Sequence, residues 1–301
     1  KILTLMRFSD LPLSFLKESL SNKGFIISLG QRLIFVTLSS KQPLMNFLYH
    51  TLSILTASLI LTSCGHSPTS TRLTSADTAS TLPVAWQSPN IFKKYSATGK
   101  SELMNTWTRK LDTSGIAMND KRTCTLITPR HVVMANHYRR PFNVKVVFHD
   151  RRGTPHTRHL VLVNHVMDDV AIGLLNEPLP SSIRAYALPS PSVKQPHPLT
   201  GQSVLLTDQN RRVFVHKIRN ISGNFIAFKH DTTQAAGYRK NLISGDSGNP
   251  SFIIKNGQPV LIETHTTGGP GAGPFYGSAA LQAALHKQIQ STDSRYYLKT
   301  L

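Results

Sequence analysis

The chain has little cysteine, two residues in 301, Cys64 and Cys124. Two thiols cannot build the disulfide framework of a small secreted scaffold, so packing must supply stability. Acid is also scarce: 15 Asp and Glu stand against 34 Lys and Arg, a formal net charge of +19. No apolar run reaches the roughly 18 residues of a membrane-spanning helix. No period of roughly 20 to 50 residues recurs, which excludes solenoid and propeller arrays. Despite 13 histidines there is no Cys-x-x-Cys or His-Glu-x-x-His spacing, so neither metal nor cofactor is expected. What is present is apolar content of 40%, enough for a packed core and too much for a disordered polymer.

The basic residues invite a nucleic-acid reading through the pairs Arg139-Arg140, Arg151-Arg152 and Arg211-Arg212. No recognition module accompanies them, so nucleic acid is not expected as a partner. A solvated surface near anionic lipid is the simpler reading.

The N-terminus divides into segments. Residues 1–44 show no sustained pattern and either follow a start at Met6 or lie upstream of a true start at Met45. From Met45 a short polar stretch precedes the apolar run Leu52 to Leu61 and then Thr62-Ser63-Cys64, the layout of a secretory signal peptide over 45–63. Leu61-Thr62-Ser63-Cys64 resembles a bacterial lipobox. That resemblance implies export, lipid attachment at Cys64 and a place in the cell envelope with the membrane as partner. An uncleaved signal anchor is the rival reading. Residues 64–95, rich in Ser and Thr over 66–82, read as lipid attachment and flexible tether. Beyond Cys64 there remain 28 basic and 13 acidic residues, so the mature chain keeps a net charge of +15.

From about residue 120 short apolar or alternating runs follow one another between turn residues, the pattern of an all-β sandwich or barrel. Strands are expected over 123–128, 143–148, 159–163, 170–175, 203–207, 212–218, 224–229, 251–254 and 260–263, all β-branched or aromatic in content. The Pro- and Ser-rich stretch 178–198 reads as a connection between two β units, giving 96–190 and 191–301 as domains. Over 279–290, Leu281, Leu285 and Ile289 recur every four residues and mark one face of a C-terminal helix.

Chemistry is concentrated in Gly245-Asp246-Ser247-Gly248-Asn249-Pro250. A serine between glycines suits a nucleophile: Gly245 lets the backbone turn so that successive N–H groups point at one spot, and Gly248 removes a side chain that would crowd an acyl group. Serine alone is a weak nucleophile and needs a base, which in turn needs an orienting acid.

These residues resemble the signature Gly-Asp-Ser-Gly-x-Pro of the trypsin/chymotrypsin superfamily of serine peptidases. Two further stretches resemble that family in its order of His, Asp, Ser. One runs from Leu126 to Ala135-Asn136-His137; the other is Asp168-Asp169-Val170-Ala171-Ile172. The resemblance implies two antiparallel β-barrels with the substrate between them and a C-terminal helix behind. It implies His137 as base, Asp169 as orienting acid, Ser247 as nucleophile, and the N–H groups of Gly245 and Ser247 as oxyanion hole. His131 is the rival base and Asp168 a solvated neighbour of Asp169. A monomer cleaving protein or peptide substrates is expected. The alternatives are a surface lipoprotein using the same fold as a binding scaffold, and a hydrolase acting on esters.

Departures from the family sharpen the reading. Tyr138 follows His137 where animal members have cysteine, so Cys124 is expected as a buried free thiol. No activation sequence that would free an N-terminus to pair with Asp246 occurs, which favours a constitutively formed site. Asn241 stands where trypsins carry an aspartate, which disfavours cleavage after Lys or Arg. His265 resembles the pocket histidine of bacterial glutamyl endopeptidases, but with one extra residue in the run. It is expected either to read an acidic P1 side chain or, more simply, to make a structural hydrogen bond.

Overall fold

The computed structural model describes residues 82, 87–192, 194 and 197–301, together with the backbone of three short strands within residues 3–36. Residues 1–70 and 71–301 form separate compact units. In the first, β1 (Leu3–Met6), β2 (Phe25–Leu29) and β3 (Arg32–Val36) pair antiparallel in the order β1-β3-β2. This corrects the expectation that residues 1–44 hold no sustained pattern. The runs Phe25-Ile26-Ile27 and Leu33-Ile34-Phe35-Val36 carry the β-branched and aromatic residues that suit strands. The signal stretch 45–63 and Cys64 lie outside the described residues.

The second unit is mostly β, with a nearly closed six-stranded barrel-like sheet, a half-barrel sheet and, among the described residues, one α-helix near the C-terminus. A two-stranded ribbon, β4 (Phe92–Lys94) with β5 (Glu102–Leu103), precedes them. The first six-stranded sheet contains β6 (Ile116–Ala117), β7 (Cys124–Leu126), β8 (His131–Ala135), β9 (Lys145–His149), β10 (Pro155–Met167) and β11 (Val170–Leu175). Its order is β6-β7-β8-β11-β10-β9. The second contains β12 (Ser203–Thr207), β13 (Val213–Ser222), β14 (Phe225–His230), β15 (Pro250–Lys255), β16 (Gln258–Thr264) and β17 (Ala272–Pro274), in the order β16-β15-β12-β13-β14-β17. All pairings within both sheets are antiparallel. No helix among the described residues is long and apolar enough to cross a membrane.

Period-two alternation explains why β8, β12 and β15 are apolar on both faces. In β8, Val132 and Met134 join Leu126, Phe148 and Leu160 in the core of the first sheet, while Val133 points the other way. In β12, Val204 and Leu206 enter the core of the second sheet and Leu205 leaves it. Val133, Ile172, Leu205, Phe252 and Ile254 then meet in a third core shared by the two sheets.

The helix α1 (Ala279–Thr292) closes this shared core with Leu281, Leu285 and Ile289, all fully buried. Each such side chain contributes about 1.5–3 kcal/mol of transfer free energy. Ser278 caps the helix by accepting from the Leu281 N–H.

One buried cation ties the first sheet together. Arg140, 1% exposed, donates to the carbonyls of Ala117, Arg122 and Lys145 and to Asn119 Oδ1, linking both end strands β6 and β9. Its neighbour Arg139 is exposed, and Arg212 pairs with Asp208, so the basic pairs do not make one continuous stripe.

The tether is shorter at its C-terminal end than the expected 64–95. Residues 89–91 hydrogen-bond to Arg211 and Val213, Ile91 is buried, and Gln87 exchanges hydrogen bonds with the Tyr238 hydroxyl.

Candidate active site

The pairing of β8 with β11 brings two of the predicted site residues together. Ala135 stands opposite Val170, and the Asn136 N–H donates to the Asp169 carbonyl at 2.9 Å. His137 follows on a single 3-10 turn, Asn136–Tyr138. Asp169 occupies the two-residue turn between β10 and β11, where Asp168 adopts φ +48°, a conformation that Asp tolerates better than most residues. Ser247 comes from the second sheet, in the loop that leads into β15.

The three side chains form one hydrogen-bonded chain. Asp169 Oδ2 lies 2.7 Å from His137 Nδ1, and His137 Nε2 lies 2.9 Å from Ser247 Oγ. The second Asp169 oxygen accepts the His137 backbone N–H at 2.9 Å, so the acid holds both ends of the residue. The Nδ1 contact to a carboxylate makes Nδ1 the protonated nitrogen of a neutral ring and leaves Nε2 free to accept from the serine hydroxyl. His137 remains about half exposed, as a group that must meet a substrate would.

The loop before Ser247 turns through a glycine and leaves two backbone donors unengaged. Gly245 adopts φ +94°, and an added Cβ would lie 2.6 Å from Gln209 Oε1. The Asp246 N–H is taken by the Ile243 carbonyl at 3.0 Å, whereas the Gly245 and Ser247 N–H groups have no hydrogen-bond partner among the described residues. Two unengaged donors beside a serine oxygen can receive a developing negative charge. Gly248 has a different reason from the expected one. Its φ is +81° and a Cβ there would press on the Ala135 backbone at 3.3 Å, so the glycine lets the loop approach β8.

The rivals are placed elsewhere. His131 is 1% exposed, held between Thr128 Oγ1 at 2.7 Å and Thr292 Oγ1 at 2.8 Å. Burial lowers its pKa to about 4, and Asp293 only partly offsets this. Asp168 is exposed and its carbonyl accepts from His165.

His265 is not open to a substrate. It is 1% exposed, with Nδ1 at 2.9 Å from Glu263 Oε2 and Nε2 at 3.0 Å from the Thr207 carbonyl. Nδ1 is engaged by the Glu263 carboxyl and Nε2 by the Thr207 carbonyl, so neither ring nitrogen is left for a further partner. Burial works to lower its pKa, but the Glu263 carboxylate outweighs it and the net shift is upward. Of the two expected roles, the structure has the hydrogen-bonded one. Asn241 is exposed at the start of the loop that carries Ser247.

Sequence reasoning missed Thr266 and Lys240. Thr266 Oγ1 donates to Asp169 Oδ2 at 2.8 Å, and Lys240 Nζ lies 2.9 Å from Asp246 Oδ2. Their positions beside His265 and Asn241 were the one available signal. Cys124 is buried with a free thiol. No group of three His, Cys, Asp or Glu side chains that could hold a metal occurs among the described residues. A basic concavity of about 380 Å3, lined by Lys94, Lys100, Arg109, Arg151 and Arg152 among others, shares no residue with this site.

Compared with known proteins, the chain matches no family model and no curated protein.

Proposed function

We propose that the chain is an exported serine endopeptidase of the trypsin/chymotrypsin type, working through Asp169, His137 and Ser247 on a two-barrel fold. The observation that carries this reading is the unbroken chain Asp169 Oδ2, His137, Ser247 Oγ with links of 2.7 and 2.9 Å, contributed by two different sheets. Distances of this size are those at which a base can take the serine proton.

In this mechanism His137 Nε2 takes the proton as Ser247 Oγ bonds to the substrate carbonyl carbon. The carbonyl π electrons move to oxygen, and the oxyanion is received by the Gly245 and Ser247 N–H groups. His137 then protonates the departing amine as the C–N bond breaks, leaving an acyl-enzyme. Water, deprotonated by the same imidazole, releases the acid and restores the serine. Asp169 keeps Nδ1 protonated and stabilises the imidazolium, the role such an acid has in this constellation. No metal or cofactor is called for.

Specificity is read toward neutral P1 side chains. Asn241 offers no charge to a Lys or Arg, and His265 has no ring nitrogen left for a carboxylate. Protein or peptide substrates, a monomeric state and a lipid anchor at Cys64 complete the reading. Treating the full-length protein with a fluorophosphonate probe beside Ser247→Ala, followed by a peptide-library screen, tests the chemistry. Detergent-phase partition of the wild type against Cys64→Ser tests the anchor.

A further inference from the structure

Outside the catalytic site, five cations converge on one hollow. Lys94, Lys100, Arg109, Arg151 and Arg152 line the concavity of about 380 Å3, and all five are exposed. None is paired with a carboxylate among the described residues. The one acid in the lining, Glu102, is turned onto Lys93 at 2.9 Å. Asp150, next to the arginines, is spent on its own turn. Its Oδ1 accepts the Arg152 N–H at 2.8 Å and the Thr154 N–H at 2.9 Å, while Oδ2 faces His156 at 3.6 Å.

The cations come from four segments that hydrogen bonds fasten together. Lys94 ends β4, Lys100 precedes β5, Arg109 stands on the 3-10 turn Trp107–Lys110, and Arg151 and Arg152 lie in the turn between β9 and β10. The Ser101 N–H donates to the Gly153 carbonyl at 2.9 Å, and Arg109 Nη2 donates to the Arg151 carbonyl at 3.3 Å. Gly153 permits this approach: its φ is +78°, and a Cβ there would lie 1.9 Å from the Ser101 carbonyl oxygen. Like charges are therefore held close on a fixed rim, a repulsion that a bound polyanion relieves. Three of the five are arginines, whose planar forks match phosphate oxygens.

We infer that this concavity is a docking surface for anionic phospholipid headgroups, which sets the β-rich unit down on a bilayer. The choice of a bilayer over other polyanions rests on the anchor reading at Cys64, whereas the peptidase reading is not needed for it. Gln87 follows Cys64 by only 23 positions, so even a fully extended chain keeps it within about 80 Å of that cysteine. The concavity lies against β4 and β5, the first strands after Gln87. Attraction to a negative leaflet is worth about fivefold in affinity for each basic residue near it and fades within a Debye length. Effective docking therefore needs several cations on one face, which the concavity supplies.

The test takes full-length Cys64→Ser, which cannot be lipidated at that position, as the parent. Affinity is measured by cosedimentation with vesicles of phosphatidylcholine alone and with vesicles that hold about one third phosphatidylglycerol, at about 0.1 M NaCl. The apolar run Leu52 to Leu61 is uncharged, so the difference between the two vesicles reads the electrostatic contact. Lys94→Gln/Lys100→Gln/Arg152→Gln on the parent should lower affinity for the anionic vesicles about a hundredfold, three side chains at about fivefold each. The control Arg219→Gln/Lys229→Gln/Lys287→Gln removes the same charge from exposed positions outside the concavity. It should cost less than about threefold. Melting temperatures show that both variants fold.

A parent that binds both vesicles equally overturns the inference, as does a concavity variant with parental affinity or a control that loses as much. Inorganic phosphate that displaces the parent completely, against chloride at equal ionic strength, gives the concavity to a soluble ion and overturns the bilayer assignment. Retention on poly-glutamate without preference for anionic vesicles gives it to an acidic polypeptide, again against the inference. If lipid-competent wild type stays out of the detergent phase while the vesicle result holds, the anchor reading fails and the docking surface stands.

Discussion

The Thr266 hydroxyl donates to the same Asp169 oxygen that faces His137, at 2.8 Å against 2.7 Å for the ring nitrogen. Thr266 lies just beyond β16 and Asp169 lies in the turn between β10 and β11, so this bond ties the acid to the second sheet. It also joins the triad to His265, whose carbonyl accepts the Gly248 N–H at 2.8 Å.

Removing that hydroxyl takes away one of the three hydrogen bonds that orient the acid. Thr266→Val is expected to lower kcat about tenfold while Thr266→Ser stays near wild type, a hydrogen bond to a charged group being worth about 1.5–3 kcal/mol. Asp169→Asn reverses the tautomer preference of His137 and should cost about 10⁴ in kcat with the fold intact. Steady-state kinetics beside thermal melts of the three variants check both. A Thr266→Val variant with unchanged kcat would remove Thr266 from the site.

Acid should destabilise the protein through its buried neutral histidines. His216 is fully buried, donating from Nδ1 to the Pro270 carbonyl at 2.8 Å and accepting from the Lys240 N–H at Nε2. Burial is the largest cause lowering its pKa from 6.5 to about 4, against the pull of the Pro270 bond. Between those values the unfolded chain binds a proton that the folded chain does not, so stability is full above 6.5 and is lost as pH falls toward 4. The slope reaches about 1.4 kcal/mol per pH unit for one such group. Melting temperatures at pH 7, 6, 5 and 4.5 should fall steadily, and less steeply in His216→Asn.

His265 works in the opposite sense. Its pKa is raised, so its contribution is complete below 6.5 and fades as pH rises through the folded value. The pH of maximum stability is set between the two effects, and His265→Gln should lose the decline on the alkaline side.

Burial pushes the Cys124 thiol up to about 11, so almost none is thiolate at pH 8. Iodoacetamide at that pH should leave Cys124 unmodified in the native protein and modify it fully after denaturation, as read by peptide mapping. Rapid native alkylation would mean that the first sheet opens around β7.

Strands were legible where an apolar run is continuous and bounded by turn residues. Residues 170–175 and 203–207 form β11 and β12 within the expected bounds. The run expected at 159–163 is the middle of β10, Pro155–Met167, which pairs first with β9 and then with β11. Its flanks carry His, Thr, Arg and Asn, polar residues that only the neighbouring strands make β. Ala272-Gly273-Pro274 has no β-forming content at all and becomes β17 because Phe225–Ala227 pairs with it.

The same division holds at the site. His137, Asp169 and Ser247 were legible as residue types in local patterns. The bridge that Lys240 makes between Asp246 and Asp208 was not, because it depends on Asp208, brought across the second sheet from 32 residues away. Nor was the burial of His265, which is held by Glu263 two residues earlier and by Thr207 at the end of β12.

An activated Ser247 is the claim on which the rest depends. Intact-mass analysis of the full-length protein after fluorophosphonate treatment, with Ser247→Ala and His137→Ala alongside, addresses it in one experiment. A single adduct on the wild type, mapped to Ser247 and absent from both variants, is the expected result. Folded wild-type protein that takes no adduct, or takes one equally well without Ser247, would contradict it.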